Sequence, residues 1–265
     1  MPEPTAEAAT ATWRAILMGE YAPLRRGRRF FKLIPSHPRC RFCNAPFGPP
    51  GKYISALFGK RPSRKNPNFC DICSLAMPIG GTEIELSMLF ADVRGSTALA
   101  EAISPLQFSR ILNNFYRVAS DILVASDALI DKFVGDEVIG LYVPGFAGPD
   151  HARRAIESAE AILCATGHGG TGTEPWLPIG VGVHTGTAYV GGVGTADGVN
   201  DLTALGDAVN TTARLASQAA AGEILASEKA YAASGLDRGN PEQRYLPLKG
   251  RTKQVCVRVL RPAAA

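Results

Sequence analysis

Ala128-Leu129-Ile130-Asp131-Lys132-Phe133-Val134-Gly135-Asp136-Glu137-Val138-Ile139-Gly140-Leu141-Tyr142-Val143 is the stretch whose reading decides the fold. Two runs rich in β-branched and aromatic residues, 128–134 and 137–143, flank Gly135-Asp136. A glycine-containing pair between two such runs favours a tight hairpin, because glycine enters positive φ without a steric penalty. Upstream, Ile84, Leu86, Met88 and Phe90 alternate with Glu83, Glu85, Ser87 and Leu89, the period of a strand. Ser104-Pro105 supplies an N-cap and a first-turn proline. Leu106, Phe108, Ile111, Leu112, Phe115, Ile122 and Leu123 then recur at helical spacing. Downstream, 150–166 reads as a second helix. Ile179, Val181 and Val183, then Ala188 to Val193, read as two strands with Gly186 between them. Residues 207–220 read as helical, and 243–248 and 254–260 as strand-like. The order β-α-β-β-α-β predicts an α+β fold built on a ferredoxin-like split unit, with further elements appended.

The 265 residues, 46% of them apolar, suffice for one ordinary domain and an appendage. No apolar run approaches the roughly 18 residues of a membrane span. Met1-Pro2-Glu3-Pro4 does not open a signal peptide. The expectation is a soluble, cytoplasmic protein. Charge divides the chain: residues 1–80 hold 13 Lys and Arg against 4 Asp and Glu, and residues 81–265 hold 15 against 20. Three stretches follow from this: a basic, partly disordered and partly helical segment over 1–39, a cysteine module over 40–80, and the remainder over 81–265. Residues 1–12, of Ala, Thr, Glu and Pro, read as disordered, and Trp13 to Met18 as a short helix. Arg25-Arg26-Gly27-Arg28-Arg29-Phe30-Phe31-Lys32 reads as a solvated linker; the alternative is a surface for a partner, an acidic lipid or a nucleic acid.

Cys40-x-x-Cys43 and Cys70-x-x-Cys73 have the spacing of a four-thiolate metal site. Zinc is the expected ion and an iron–sulfur cluster the alternative; a cytosolic setting argues against structural disulfides. The segment between the pairs is rich in Gly, Pro and Lys and too poor in apolar residues to fold unaided, so it needs such a staple. It is expected to pack on the rest of the chain and to regulate or dimerise it. His37 stands as a substitute ligand, although beside Pro38 it reads as a loop residue. Cys164 and Cys256, alone in apolar stretches, read as inert core thiols.

Four segments remain to be explained together: Phe90-Ala91-Asp92-Val93-Arg94-Gly95-Ser96-Thr97, Asp131 to Asp136, Thr203 to Asn210 running on to Arg214, and Leu248-Lys249-Gly250. In this order and spacing they resemble the class III nucleotidyl cyclases, from about Glu83 to Leu260. Singly the motifs say little: Asp-x-x-Gly is common, and Gly-Asp-Glu-Val also occurs in related diguanylate cyclases. The resemblance implies that 81–265 is a cyclase catalytic domain. It further implies a head-to-tail homodimer whose sites take metal ligands from one subunit and purine and transition-state residues from the other. Asp92 would end the first strand and Asp136 would occupy the hairpin turn. Neighbouring strands lie ~4.8 Å apart, so both carboxylates can meet at one sheet edge. Hard oxygen ligands suit two Mg²⁺ or Mn²⁺ ions bridging substrate phosphates, and the resemblance adds the carbonyl of Val93.

Lys132 and Thr203 hold the positions that resemble the purine-reading pair. Lysine only donates and a threonine hydroxyl can accept, which matches adenine N1 and its amine. Guanylyl members typically have glutamate in place of the lysine. Many adenylyl members have aspartate where Thr203 stands, and threonine there resembles a bacterial subgroup often responsive to bicarbonate. Asn210 and Arg214, four residues apart, share a helix face. The resemblance makes Asn210 the ribose-positioning residue, Arg214 the group that binds charge developing at the α-phosphate, and Lys249 the contact for the terminal phosphates. An arginine often found after the His184-Thr185-Gly186 turn is replaced by Thr187. The expected activity is conversion of ATP to 3′,5′-cyclic AMP and pyrophosphate. The alternatives are a guanylyl cyclase and a nucleotide-binding regulatory module. No general base is evident for the 3′-hydroxyl.

Overall fold

A computed structural model describes residues 6–63, 69–76, 80–169, 174–193, 201–247 and 254–262. Helices α1 (Ala6–Leu17) and α2 (Ala22–Lys32) lead into the cysteine region, which carries the short helices α3 (Gly51–Leu57) and α4 (Asp71–Ala76). There follow β1 (Gly80–Val93), α5 (Ser96–Ala102), α6 (Pro105–Ala125), the hairpin β2 (Leu129–Val134) and β3 (Glu137–Tyr142), α7 (Pro144–Ala147), α8 (His151–Ala165) and β4 (Ile179–Val193). The chain continues through β5 (Asp201–Leu205), α9 (Asp207–Gln218), β6 (Ile224–Ser227), α10 (Glu228–Ser234), β7 (Gln243–Leu246) and β8 (Val255–Leu260).

One sheet runs in the order β2-β3-β1-β4-β6-β8-β7, with β5 added on β4. Its first four strands have the order and antiparallel pairing of the split βαββαβ unit. Ser104 caps α6 in a reciprocal capping box with Gln107, which starts the helix where the sequence signal stood. The two faces of β1 divide the core. Ile84, Leu86, Met88 and Phe90 pack with Trp13, Leu17, Phe42, Phe69 and the four paired cysteines. Leu89, Ala91 and Val93 pack with Phe115, Leu123, Ile156, Ile162 and Leu163 of α6 and α8. The sheet is therefore covered on both faces, and the N-terminal region forms part of one cover.

The structure departs from the sequence pattern at several places. The stretch 179–193 is one strand, paired with β1 from Gly80↔Gly192 to Val93↔Ile179. Gly186 does not break it: a Cβ there would lie 2.8 Å from Ala208 Cβ, so the glycine admits α9 instead of turning the chain. The helix expected from Trp13 begins at Ala6, because alanine is the strongest helix former and Trp13 and Leu17 anchor it in the core. Residues 25–32 are the body of α2, begun by Pro23 in its first turn. Arg28 is buried there and Lys32 pairs with Asp127 at 2.9 Å, so this is no solvated linker. Cys164 is exposed and Cys256 half-buried; Ile162 and Leu163 take the inner face of α8 and leave Cys164 outside. β5, β6 and α10 had no clear sequence signal. No described helix is long and apolar enough to cross a membrane.

Candidate active site

The end of β1 and the β2–β3 turn form a carboxylate corner. Asp92 lies opposite Glu137 in the ladder. The Val93 N–H donates to the Asp136 carbonyl at 3.3 Å. Gly135 takes φ +60° in the turn, and the Tyr116 hydroxyl of α6 donates to its carbonyl. Asp92 and Asp136 are thus brought to one corner by backbone pairing. Arg94 forms an ion pair with Asp92 and donates to the Ser217 carbonyl at 2.8 Å, tying the corner to the last turn of α9. Burial pushes the Glu137 carboxyl up to about 7; the Asp136 charge adds to this and Arg94 opposes it. Burial lowers the Arg94 pKa, against the pull of Asp136 and Glu137. Hard oxygen donors with a surplus of negative charge fit a divalent cation. Arg94 and Glu137 were not singled out from the sequence, since neither carries a motif of its own.

The second constellation sits on β2 and β5. The β2–β3 ladder shifts register between Ile130 and Lys132. A bulge of this kind re-aims side chains. Here it lets two consecutive residues, Asp131 and Lys132, both reach Thr203. Lys132 Nζ donates to Thr203 Oγ1 at 3.1 Å. Thr203 Oγ1 donates to Asp131 Oδ2 at 3.2 Å. The Asp131 side chain is 4% exposed and that of Lys132 37% exposed, so the carboxylate lies behind the pair and the ammonium in front. Asp131 was missed from the sequence because regular alternation would turn it away from Lys132.

Helix α9 carries Asn210 and Arg214. It rests closely on β4: a Cβ on Gly182 would lie 2.4 Å from the Ala216 nitrogen. Asn210 is exposed and Arg214 half-buried, and the Arg214 guanidinium has no ion-pair partner among the described residues. Thr187 is exposed on β4 opposite Glu85. Lys249 lies outside the described residues.

Cys40, Cys43, Cys70 and Cys73 converge in the core beneath α1 and α2. Their sulfurs lie within 4.8 Å of one another and all four residues are buried. The Cys70 N–H donates to Cys40 Sγ at 3.3 Å and the Cys73 N–H to Cys70 Sγ at 3.4 Å. Asn44, at φ +62°, closes the first knuckle, with its N–H on the Cys40 carbonyl at 2.9 Å. Burial alone would raise the Cys40 thiol, but sulfur hydrogen bonds with the other three hold it well below its ordinary value. Four convergent thiols with N–H donors aimed at sulfur fit a tetrahedral metal centre with no open position. His37 is not part of it, and pairs instead with Asp121 at 2.5 Å.

The profile of the adenylate and guanylate cyclase catalytic domain matches residues 82–259. An adenylate cyclase of Anabaena cylindrica is 32% identical over 138 residues, 49% of this chain and 26% of that protein. Adenylate cyclase 1 of Rhizobium meliloti is 32% identical over the same length, 20% of that protein. The chain thus aligns with only about a quarter of these relatives. Among solved structures, the guanylyl cyclase Cya2 superposes with a TM-score of 0.61 at 27% identity, covering 68% of this chain and 93% of that one. The adenylyl cyclase CyaB from P. aeruginosa gives 0.58 at 29%, covering 67% and 94%.

Proposed function

Because the chain belongs to the adenylate and guanylate cyclase catalytic family, we propose that it converts ATP to 3′,5′-cyclic AMP and pyrophosphate. One observation carries the choice of adenine. Thr203 donates its only hydroxyl proton to the buried Asp131 carboxylate, so its oxygen is left to accept. An acceptor beside the donor Lys132 matches the adenine amine and N1 and opposes the carbonyl and N–H of guanine.

In this reading the working site lies between two subunits arranged head to tail. Asp92, Asp136 and the Val93 carbonyl of one subunit hold two Mg²⁺ or Mn²⁺ ions. When bound, these supply Lewis acidity at the 3′-hydroxyl and the phosphates. Lys132 and Thr203 of the other subunit hold the base. Asn210 positions the ribose, and Arg214, one turn further along α9, offers its planar fork to charge developing at the α-phosphate. Lys249 binds the terminal phosphates. Arg94, ion-paired with Asp92, acts as the resting counter-charge there. The four cysteines hold a structural zinc ion, within a chain divided at 1–39, 40–80 and 81–265, working in the cytoplasm where the triphosphate is found.

A guanylyl cyclase is the second reading, favoured by the superposition on Cya2. Product analysis of the purified protein with ATP and with GTP, in Mg²⁺ and in Mn²⁺, decides between them. Lys132→Glu combined with Thr203→Cys should lower use of ATP far more than use of GTP. An unchanged ratio would show that these residues do not read the base.

A further inference from the structure

The cysteine centre and the base-reading residues are physically joined. The first knuckle, Cys40-Arg41-Phe42-Cys43, reaches β2 directly through Arg41 and indirectly through Arg28 of α2. Arg41 Nη1 donates to the main-chain carbonyl of Asp131. Phe42 presents its carbonyl to Arg28 Nη1 at 2.6 Å. The other arm of Arg28 donates to the carbonyls of Ala128 at 3.1 Å and Asp127 at 3.3 Å, where β2 begins. Arg28 is buried and lies over the Phe146 ring, 4.3 Å from its centroid. Two arginines therefore bind the knuckle to the strand that carries Asp131 and Lys132.

The contact of Arg41 falls at a sensitive place. Asp131 lies within the bulge of β2, where the ladder to β3 shifts register. A bulged residue is left out of the regular ladder and needs another partner for its main chain. Arg41 supplies that partner. The Asp131 side chain then accepts from Thr203, and Thr203 accepts from Lys132. A path of four groups runs from the thiolate knuckle to the purine edge without passing through the carboxylate corner.

We propose that Arg41 is a positioning residue for base selection: held in the Cys40–Cys43 knuckle, it fixes the Asp131 main chain, so that metal occupancy of the four-cysteine centre sets how well Lys132 and Thr203 read the purine. The inference rests on the reading that Lys132 and Thr203 contact the base. A metal holds the four sulfurs, and through them the short loop bearing Arg41, in one arrangement. Without metal the loop is released, Arg41 leaves Asp131, and the bulge is free to relax. Thr203 then loses the fixed acceptor that keeps its oxygen facing the base.

The test uses the full chain with its metal bound and compares Arg41→Ala, Arg41→Lys and the unaltered protein, each with ATP and GTP. Arg41→Ala should raise the KM for ATP and lower the ATP/GTP ratio of kcat/KM by about tenfold, as expected for loss of a charge-assisted hydrogen bond. Its kcat and metal content should stay close to those of the unaltered protein. Arg41→Lys, which retains a donor, should recover much of the ratio. Stripping the metal from the unaltered protein should lower the ratio similarly, and stripping it from Arg41→Ala should change it little further. An unmoved ratio in Arg41→Ala, or an equal effect of chelation in both proteins, overturns the proposal. If Arg41→Ala does not accumulate, the metal-stripped natural protein carries the test, and a ratio unmoved by metal removal refutes the link. Lys132→Glu, measured alongside, separates the two ideas. If it shifts the ratio while Arg41→Ala does not, only the link to Arg41 fails; if it leaves the ratio unchanged, the base reading fails and takes this inference with it.

Discussion

The four-cysteine centre and the carboxylate corner are both built to gather negative charge, and they do so in opposite ways. The cysteines are buried, soft and closed: four sulfurs surround one point, and N–H groups of the same loops face them. The corner is hard and open. It has two aspartates, a half-buried glutamate that burial and Asp136 make reluctant to ionise, and one arginine as counter-charge. A closed set of ligands stabilises structure, whereas an open one leaves room for a substrate. Under the proposed function, the first region holds and the second reacts.

The largest effect is expected at the corner. Asp92→Ala or Asp136→Ala should lower turnover by about a thousandfold or more and leave the far-ultraviolet circular dichroism and the metal content of the cysteine centre unchanged. Either variant turning over ATP at the normal rate with Mg²⁺ would remove the corner from the chemistry. A second experiment asks whether the site is shared between subunits. Asp92→Ala and Arg214→Ala proteins, each inactive alone, should recover part of the activity when mixed, since a mixed head-to-tail dimer has one intact site. If labelled subunits exchange and no activity returns, all the residues of a site come from one chain.

The cysteine centre should respond more mildly. Cys40→Ser should lose the bound metal, found otherwise at about one equivalent per chain. It should lower the melting temperature by several degrees and activity several-fold, while the unfolding transition of the sheet persists. The four cysteines share a core cluster with Ile84, Leu86 and Met88, so some loss of stability must reach β1. Global unfolding of this variant would show that the sheet cannot hold its own core. Visible absorbance bleached by a reductant would replace zinc with an iron–sulfur cluster.

The smallest effect comes from a third polar cluster, which needs no metal. Glu223 accepts from Arg244 at 2.8 and 2.9 Å and from Arg261 at 2.5 Å, and this holds its carboxyl down to about 2. A carboxyl lowered in the folded state stabilises the fold fully above its ordinary value of 4.5, and that stabilisation disappears as pH falls towards 2. Glu223→Gln should therefore cost about 1–2 kcal/mol at pH 7, and the gap to the unaltered protein should close in acid. Urea unfolding at pH 7, 4 and 2.5 measures it; a gap independent of pH would mean that the ion pair is not its source.

Periodicity and end signals placed the hairpin, β1 and α6, because alternation, a glycine turn and a Ser-Pro cap act within a few residues of one another. They failed where a residue answers to a distant neighbour. Gly186 looked like a turn but makes room for Ala208. The Arg25–Lys32 cluster looked solvated, yet Arg28 is buried by carbonyls of Phe42 and Ala128 from two other segments. β5 and β6 are short strands bounded by their partners, so their local pattern is weak.

The same division separates what each level decided about function. Sequence alone determined the residue types: one aspartate at the end of a strand and another in a hairpin turn, CxxC pairs able to bind a soft metal, a lysine that donates and a threonine that can accept, an Asn and an Arg one helical turn apart. The CxxC and Asn-Arg spacings act over a few residues, which a linear chain carries in full, whereas the resemblance to the class III cyclases is what pairs Asp92 with Asp136 and Lys132 with Thr203. Only the tertiary structure decided that Asp131 stands behind Thr203, that Arg94 neutralises Asp92, and that the cysteine knuckle reaches the bulge of β2. Each of these contacts joins residues far apart in the chain or turned by an irregular strand. Their geometry arises when the sheet closes, and no local pattern encodes it.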